Sequence, residues 1–234
     1  MKMSNNFKNI SKAFVGVLTL SAVLVACSKD TTEPIQLAGL NVINASAEAT
    51  KYDFIVDNTK ANEKDFQYNS QLGYLNLYPG LRRIGIVEKG KTAFLLSKQE
   101  TFSPGVAYSV FIADTLSKRT FVKVEDDLTA PTGEKAKIRF VNLSPDAPAL
   151  SLGINGAATD LFTGKAYKES TAFVEVEPGA SINFEVKNAA KTVVATLPAT
   201  KIEKGLIYTI WAKGFNGTVA ADSLKMAAKI YTHK

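Results

Sequence analysis

The chain has 234 residues, 28 lysines and arginines against 22 acids, one cysteine and one histidine. A lone cysteine excludes an intrachain disulfide and a cysteine zinc site, and a lone histidine excludes a metal centre built on several imidazoles. A formal charge of +6 spread over scattered lysines reads as a solvated surface, so no nucleic acid partner is expected.

The chain opens with Lys2, Lys8 and Lys12 and no acid, followed by an apolar run over 13–26. That order is the basic, apolar, small-residue sequence of a signal peptide. The run has 14 residues, and a membrane-crossing helix needs about 20. It closes on Leu24-Val25-Ala26-Cys27, which resembles the lipobox of bacterial lipoproteins. The resemblance implies removal of 1–26 and acylation of Cys27 with palmitate-type chains, making the membrane a partner through a lipid anchor. More than one chain gives stable attachment. Losing the three signal lysines takes the net charge from +6 to +3.

Residues 27–36 read as a lipidated tether: Ser28 to Glu33 are polar and Pro34 closes the run. Lys29-Asp30 after the cysteine resembles the surface-export signal of Bacteroidetes lipoproteins. That implies an outer-membrane lipoprotein on the cell surface, with a periplasm-facing one as the alternative.

The remainder repeats. Leu40-Asn41-Val42-Ile43-Asn44-Ala45-Ser46 aligns with Ile138-Arg139-Phe140-Val141-Asn142-Leu143-Ser144 at an offset of 98 residues. Pro79-Gly80 aligns with Pro178-Gly179 at 99, and Gly105-Val106-Ala107-Tyr108 with Gly205-Leu206-Ile207-Tyr208 at 100. A period near 100 is about one β-sandwich domain. Stretches such as 42–44, 52–56, 74–78, 81–87, 107–112 and 119–124 are rich in β-branched and aromatic residues, and several alternate apolar with polar. Asn155-Gly156 and Asn216-Gly217 read as type I′ hairpin turns, and Pro79-Gly80 and Pro178-Gly179 as type II turns. Glycine, two residues, tyrosine, then an apolar strand resembles the tyrosine corner of immunoglobulin-like and fibronectin III-like domains, with Tyr108 and Tyr208 as the corner residues. The expected fold is all-β: two tandem immunoglobulin-like β-sandwiches, 37–125 and 136–234. The acidic, proline- and glycine-bearing stretch 126–135 is the linker, short enough to pack the domains end to end.

The stretch Lys137-Ile138-Arg139-Phe140-Val141-Asn142-Leu143-Ser144-Pro145-Asp146-Ala147-Pro148 resembles the signature of the bacterial domain of unknown function family 4397, DUF4397. Asn155-Gly156 supplies the ending usual after its next strand. The first unit departs, with Ala47-Glu48-Ala49 where the signature has Pro-Asp-Ala. The resemblance implies sandwich modules in exported Bacteroidetes lipoproteins and no established activity.

Catalytic residues are not evident. His233 stands one residue from the C-terminus, where fraying denies it the packed orientation a triad needs. Glu175, Glu177 and Glu185 alternate with apolar residues as a solvent face, although a carboxylate pair for glycoside hydrolysis stays open on numbers. No metal or cofactor is expected. Asp146 reads as a turn residue accepting local backbone N–H bonds. Trp211 aligns with Phe111 as a core residue. Phe66, Tyr68, Tyr74, Tyr78 and Phe215 are the candidate ligand contacts, because aromatic faces stack on sugar rings; cross-strand packing is the competing role for the strand tyrosines. Asp30-Thr31-Thr32, Asp114-Thr115-Leu116 and Asp222-Ser223-Leu224 resemble the acceptor motif of Bacteroidetes O-glycosylation, which makes Thr31, Thr115 and Ser223 candidate acceptors. These readings describe a non-catalytic cell-envelope lipoprotein for binding, adhesion or assembly, with a glycan or an envelope protein as partner. The alternatives are a carbohydrate-binding accessory lipoprotein and, third, a carboxylate-dependent hydrolase.

Overall fold

Strand-forming residues in short alternating runs, separated by turns, give sixteen strands among the described residues. In the first half they are β1 (Ala38–Asn44), β2 (Tyr52–Val56), β3 (Thr59–Lys60), β4 (Gln71–Leu77), β5 (Gly80–Glu88), β6 (Phe94–Phe102), β7 (Ala107–Ala113) and β8 (Thr120–Asp126). The second half adds β9 (Ala136–Asn142), β10 (Leu150–Ile154), β11 (Phe162–Lys165), β12 (Val174–Val176), β13 (Gly179–Lys187), β14 (Val193–Ile202), β15 (Ile207–Lys213) and β16 (Ala227–His233). This computed structural model describes residues 34–217 and 221–233. Cys27 and Thr31 lie outside the described residues.

The strands form four sheets of four: β4-β1-β7-β8 faces β3-β2-β5-β6, and β12-β9-β15-β16 faces β11-β10-β13-β14. The tandem β-sandwich expectation holds, and both sandwiches share one strand order. That order has its own character. The first strand lies inside its sheet, antiparallel to the fourth and parallel to the seventh, whereas the seven-strand immunoglobulin layout groups strands as ABED and CFG.

Each sandwich has its own core. In the first, Leu40, Val42, Tyr52, Phe54, Phe66, Ile84, Ile86, Val110 and Ile112 are buried together. In the second, Ile138, Phe140, Leu150, Leu152, Phe184, Val186 and Ile210 do the same. The two tyrosine corners are present. The Tyr108 hydroxyl accepts the Ser103 N–H at 3.2 Å, and the Tyr208 hydroxyl accepts the Glu203 N–H at 3.0 Å. Gly105 and Gly205 turn the chain into them at φ of 70° and 75°, a region costly for a residue with a Cβ.

The hairpin turns depart from expectation. Asn155-Gly156 has positive φ at the glycine alone, and Asn216-Gly217 at neither residue, so neither is type I′. The type I′ pattern falls on Asp57 and Asn58, at φ 46° and 73°, between β2 and β3. Short polar side chains tolerate that region.

The sandwiches do not pack end to end. Residues 35–234 form one compact unit, and a third apolar cluster joins its halves through sheet faces. Ile43, Ala45, Phe111, Ala113 and Val122 of the first half bury against Val141, Leu143, Trp211 and Tyr231 of the second. Strand alternation explains why. On β1 and β7, Val42, Val110 and Ile112 point into the first core, while Ile43 and Phe111 point away from it. A strand apolar on both faces must be covered on both. The equivalent strands β9 and β15 carry the same two-sided pattern. Trp211 is therefore buried, as expected, but in the layer between the sandwiches.

Candidate functional site

The first sandwich is open along one side. Its outer sheet ends at β3, which has two residues, and the facing sheet ends at β4. Between them opens a groove of about 460 Å3. Leu40, Val56, Ala61, Leu75 and Leu77 supply its apolar lining, and Asp57, Thr59, Asn76, Tyr78 and Arg82 its polar lining. Tyr78 is 62% exposed. Arg82 is fixed beside it: its Nε donates to the Tyr78 carbonyl at 2.8 Å and its Nη2 to the Pro79 carbonyl at 2.9 Å. Its Nη1 pairs with Asp57 Oδ2 at 3.1 Å, and Asp57 Oδ1 accepts the Arg83 N–H at 2.9 Å. The rim is thus preorganised without a ligand. An apolar cleft of a few hundred Å3 with a few convergent polar groups is the usual form of a small-molecule site.

A second polar assembly lies inside the junction. Arg139 Nη2 meets Asp126 Oδ1 at 2.5 Å, with both side chains at most 1% exposed. Arg139 Nε donates to Thr209 Oγ1 at 2.8 Å, and Thr209 Oγ1 lies 2.8 Å from His233 Nε2. His233 Nδ1 lies 2.6 Å from the Tyr74 hydroxyl, which donates to Asp126 Oδ2 at 2.5 Å. Ser109 Oγ donates to the same carboxylate oxygen at 2.7 Å. One proton arrangement fits the histidine's contacts: Thr209 donates to His233 Nε2, and neutral His233 donates from Nδ1 to Tyr74. Burial holds the imidazole down to about 4, against a smaller upward pull from Asp126. Burial and the neighbouring Asp126 carboxylate also push the Tyr74 phenol well up. The expectation of a frayed His233 is therefore corrected: it ends β16 and is 7% exposed. Asp126, the first residue of the expected linker, ends β8.

The candidate aromatics do not come together. Tyr78 alone lines the groove. Phe66 is fully buried and bridges to Tyr52 in the first core, so it offers no ligand surface. Tyr74, on β4, meets His233 and Asp126 at the junction instead of water. Tyr68 is half-buried, with Lys213 Nζ 4.8 Å from its ring centroid. Phe215 lines a separate cleft of about 320 Å3 with Asp114, Thr115, Leu116, Pro145 and Asp146.

The signature stretch has a structural account. Ser144 is buried, and its Oγ donates to the Gly214 carbonyl at 2.6 Å. Ser46 repeats this in the first half, donating to the Asp114 carbonyl at 2.5 Å. Asp146 does not accept local N–H bonds. Its two oxygens take the N–H groups of Asn216 and Gly217, at 2.7 and 2.9 Å. The signature thus ties the first loop of the sandwich to the loop after β15, with Pro145 inside, and Pro148 just after, the turn that Ala147 closes onto the Ser144 carbonyl. Thr115 precedes one 3-10 turn, Leu116–Lys118, and Ser223 stands exposed in another, Asp222–Leu224. Among the described residues, no cluster of three or more His, Cys, Asp or Glu could hold a metal ion. The sequence reading missed Asp57 and Arg82 on the groove and Asp126, Arg139, Ser109 and Thr209 at the junction.

A domain of unknown function, DUF4397, matches residues 38–153. The matched span takes in the whole first sandwich, the Ser144–Pro148 signature and most of β10, so the resemblance reaches the half whose signature departs. No curated protein matches. One solved structure is described as "Alpha-glucan recognition by family 41 carbohydrate-binding modules from streptococcal virulence factors". It is 13% identical, covers 73% of this chain and 92% of its own, and has a TM-score of 0.26. At that score no argument passes from it to this chain.

Proposed function

We propose that this chain is a non-catalytic binding module of the cell envelope, held at the outer membrane by lipid on Cys27. The observation that carries the binding role is the groove beside β3 and β4. A lone exposed aromatic, a fixed Asp57–Arg82 pair and an apolar floor sit on strands and on the tight turns that join them. Rigid placement lowers the ordering cost of binding. The anchor rests on the signal-peptide and lipobox pattern, and Cys27→Ala is expected to move the protein from the membrane fraction to the soluble fraction. A variant that stayed with the membrane would end the anchor reading.

A saccharide is the second reading, favoured by one observation: the Tyr78 ring is open to solvent beside planar amide, carboxylate and guanidinium groups that can each engage sugar hydroxyls. On a glycan array, wild-type protein is expected to bind, and Tyr78→Ala to lose at least about tenfold in affinity, the equivalent of roughly 1.4 kcal/mol. Phe215→Ala, remote from the groove, is expected to bind as wild type. Loss in Phe215→Ala with none in Tyr78→Ala would move the site to the other cleft.

A further inference from the structure

Two lysines at the junction have no acid to answer them. In the β15–β16 register, Trp211 stands opposite Lys229 and Lys213 opposite Ala227. Lys213 and Lys229 are therefore diagonal neighbours, on the sheet face turned toward the first sandwich. Like charges so placed repel. Other partly covered lysines are paired: Lys123 with Glu100 at 2.9 Å, Lys187 with Asp160 at 3.0 Å, and Lys137 with Asp127 at 3.2 Å. Among the described residues, neither Lys213 nor Lys229 has a carboxylate partner.

What meets them is the 67–70 loop of the first half. Lys213 Nζ lies 3.5 Å from the Tyr68 hydroxyl, and Lys229 Nζ donates to the Asn69 carbonyl at 2.7 Å. Asn69 holds a left-handed backbone at φ 71°, and its side-chain Oδ1 is buried without a partner. Amide oxygen and nitrogen are interchangeable in such an assignment. A turned amide would present a buried N–H donor in the loop that meets the two lysines. Burial holds both lysines below their ordinary range, and Lys229 lowers Lys213 further. Uncompensated charge and an unpaired buried amide oxygen at one place are the marks of a candidate ligand site.

We propose that Lys213, Lys229, Tyr68 and Asn69 form a binding site for a phosphate-class oxyanion at the junction of the two sandwiches. Two ammonium charges balance a phosphate dianion near neutral pH, and lysine binds phosphate as a point charge. Free phosphate and a small phosphate monoester present the same oxygens to this cluster.

The test is thermal unfolding of the protein at fixed ionic strength, with inorganic phosphate in one arm and glycerol 3-phosphate in the other, each replacing chloride. At about ten times the dissociation constant, the anion is expected to raise Tm by roughly 3–6 °C more in wild type than in Lys213→Met/Lys229→Met. A rise in both arms means the site tolerates an ester substituent. A rise with inorganic phosphate alone means a site closed around the free ion. In chloride, the double variant is expected to melt at or above the wild-type temperature, since repulsion is relieved. A lower Tm in chloride makes the lysines structural props and overturns the proposal, as does an equal anion response in both proteins. Phosphorus NMR of inorganic phosphate with wild-type protein, needing no variant, is expected to show line broadening; an unbroadened line overturns the proposal as well.

Discussion

Asp126→Ala is expected to lower the unfolding free energy by about 3–5 kcal/mol, measured by urea denaturation at pH 7. The carboxylate stands between three donors from two sandwiches: Arg139, Tyr74 and Ser109. Removing it leaves the Arg139 guanidinium, 1% exposed, charged and without its counter-ion. The remaining partners, the Glu125 carbonyl, Thr209 and Tyr231, carry no formal negative charge. Breaking a buried pair on one side costs far more than the pair contributes, because desolvation has already been met for both ions. The companion experiment separates these terms. Asp126→Leu/Arg139→Met removes both charges and keeps apolar volume, so it is expected to cost less than Asp126→Ala alone. A loss below about 1 kcal/mol in the single variant, or a double variant as unstable as the two singles summed, would mean that the pair is not coupled as its geometry implies.

The duplication, the tandem sandwiches and both tyrosine corners were legible in the sequence, because each rests on short-range chemistry. Proline and glycine fix turns, alternation fixes faces, and Tyr108 and Tyr208 repeat at an offset of 100 residues. The junction was legible only in part. Ile43 beside Val42, and Phe111 between Val110 and Ile112, already mark strands needing cover on both faces. The same pattern in both copies points to face-to-face packing. What alternation could not reveal was the fate of the polar residues on that face. Asp126, Arg139 and His233 look like solvated ends of strands until the facing sheet is in place. Tyr74 and Tyr78 show the same limit. Tyr74 lies on β4 and is covered by the second sandwich, while Tyr78, just past the strand's end, stays open to water.

The two copies meet at equivalent positions that have diverged. Ala107 stands opposite Asp126 on β7 and β8, and Ile207 opposite His233 on β15 and β16. The acid of one copy thus corresponds to the imidazole of the other. Asn41 corresponds to Arg139 and Ser109 to Thr209, and each pair bonds within its own sheet. A pair of identical sandwiches joined here would bring like groups together. The difference between the two halves places acid against guanidinium and gives the histidine a donor on one side and an acceptor on the other. That complementarity makes one orientation of the halves the satisfied one.

His233 carries the second large effect, a loss of stability on mild acidification. Its folded pKa is lowered to about 4 from an ordinary value of 6.5, with burial as the main cause. Between those values the unfolded chain binds a proton at this position and the folded chain does not. Stability from this group is therefore complete above about pH 6.5, falls as pH drops toward 4, and is fully lost below. The full amplitude is of the order of 3 kcal/mol, and about 2 kcal/mol of it falls between pH 7 and pH 5. The groups facing the ring explain the resistance to protonation. Thr209 donates to Nε2 and in turn accepts from Arg139, so an added proton at Nε2 would confront a donor. Arg139 opposes the charge and Asp126 favours it, at 3.8 Å from Nδ1, while Tyr74 and Tyr231 remain neutral phenols across this range. Carboxylates whose partners outweigh the upward push of burial and hold them low, such as the partly buried Glu48 and the buried Asp53, lose their contributions at lower pH. Urea unfolding at pH 7, 6 and 5 is the measurement. Wild type is expected to lose about 2 kcal/mol over that span, and His233→Gln, which has no group titrating there, less than about 0.5 kcal/mol. The same slope in both proteins would place the acid sensitivity elsewhere. A flat wild-type profile would mean that the imidazole charges freely in the folded state, as a ring open to water does.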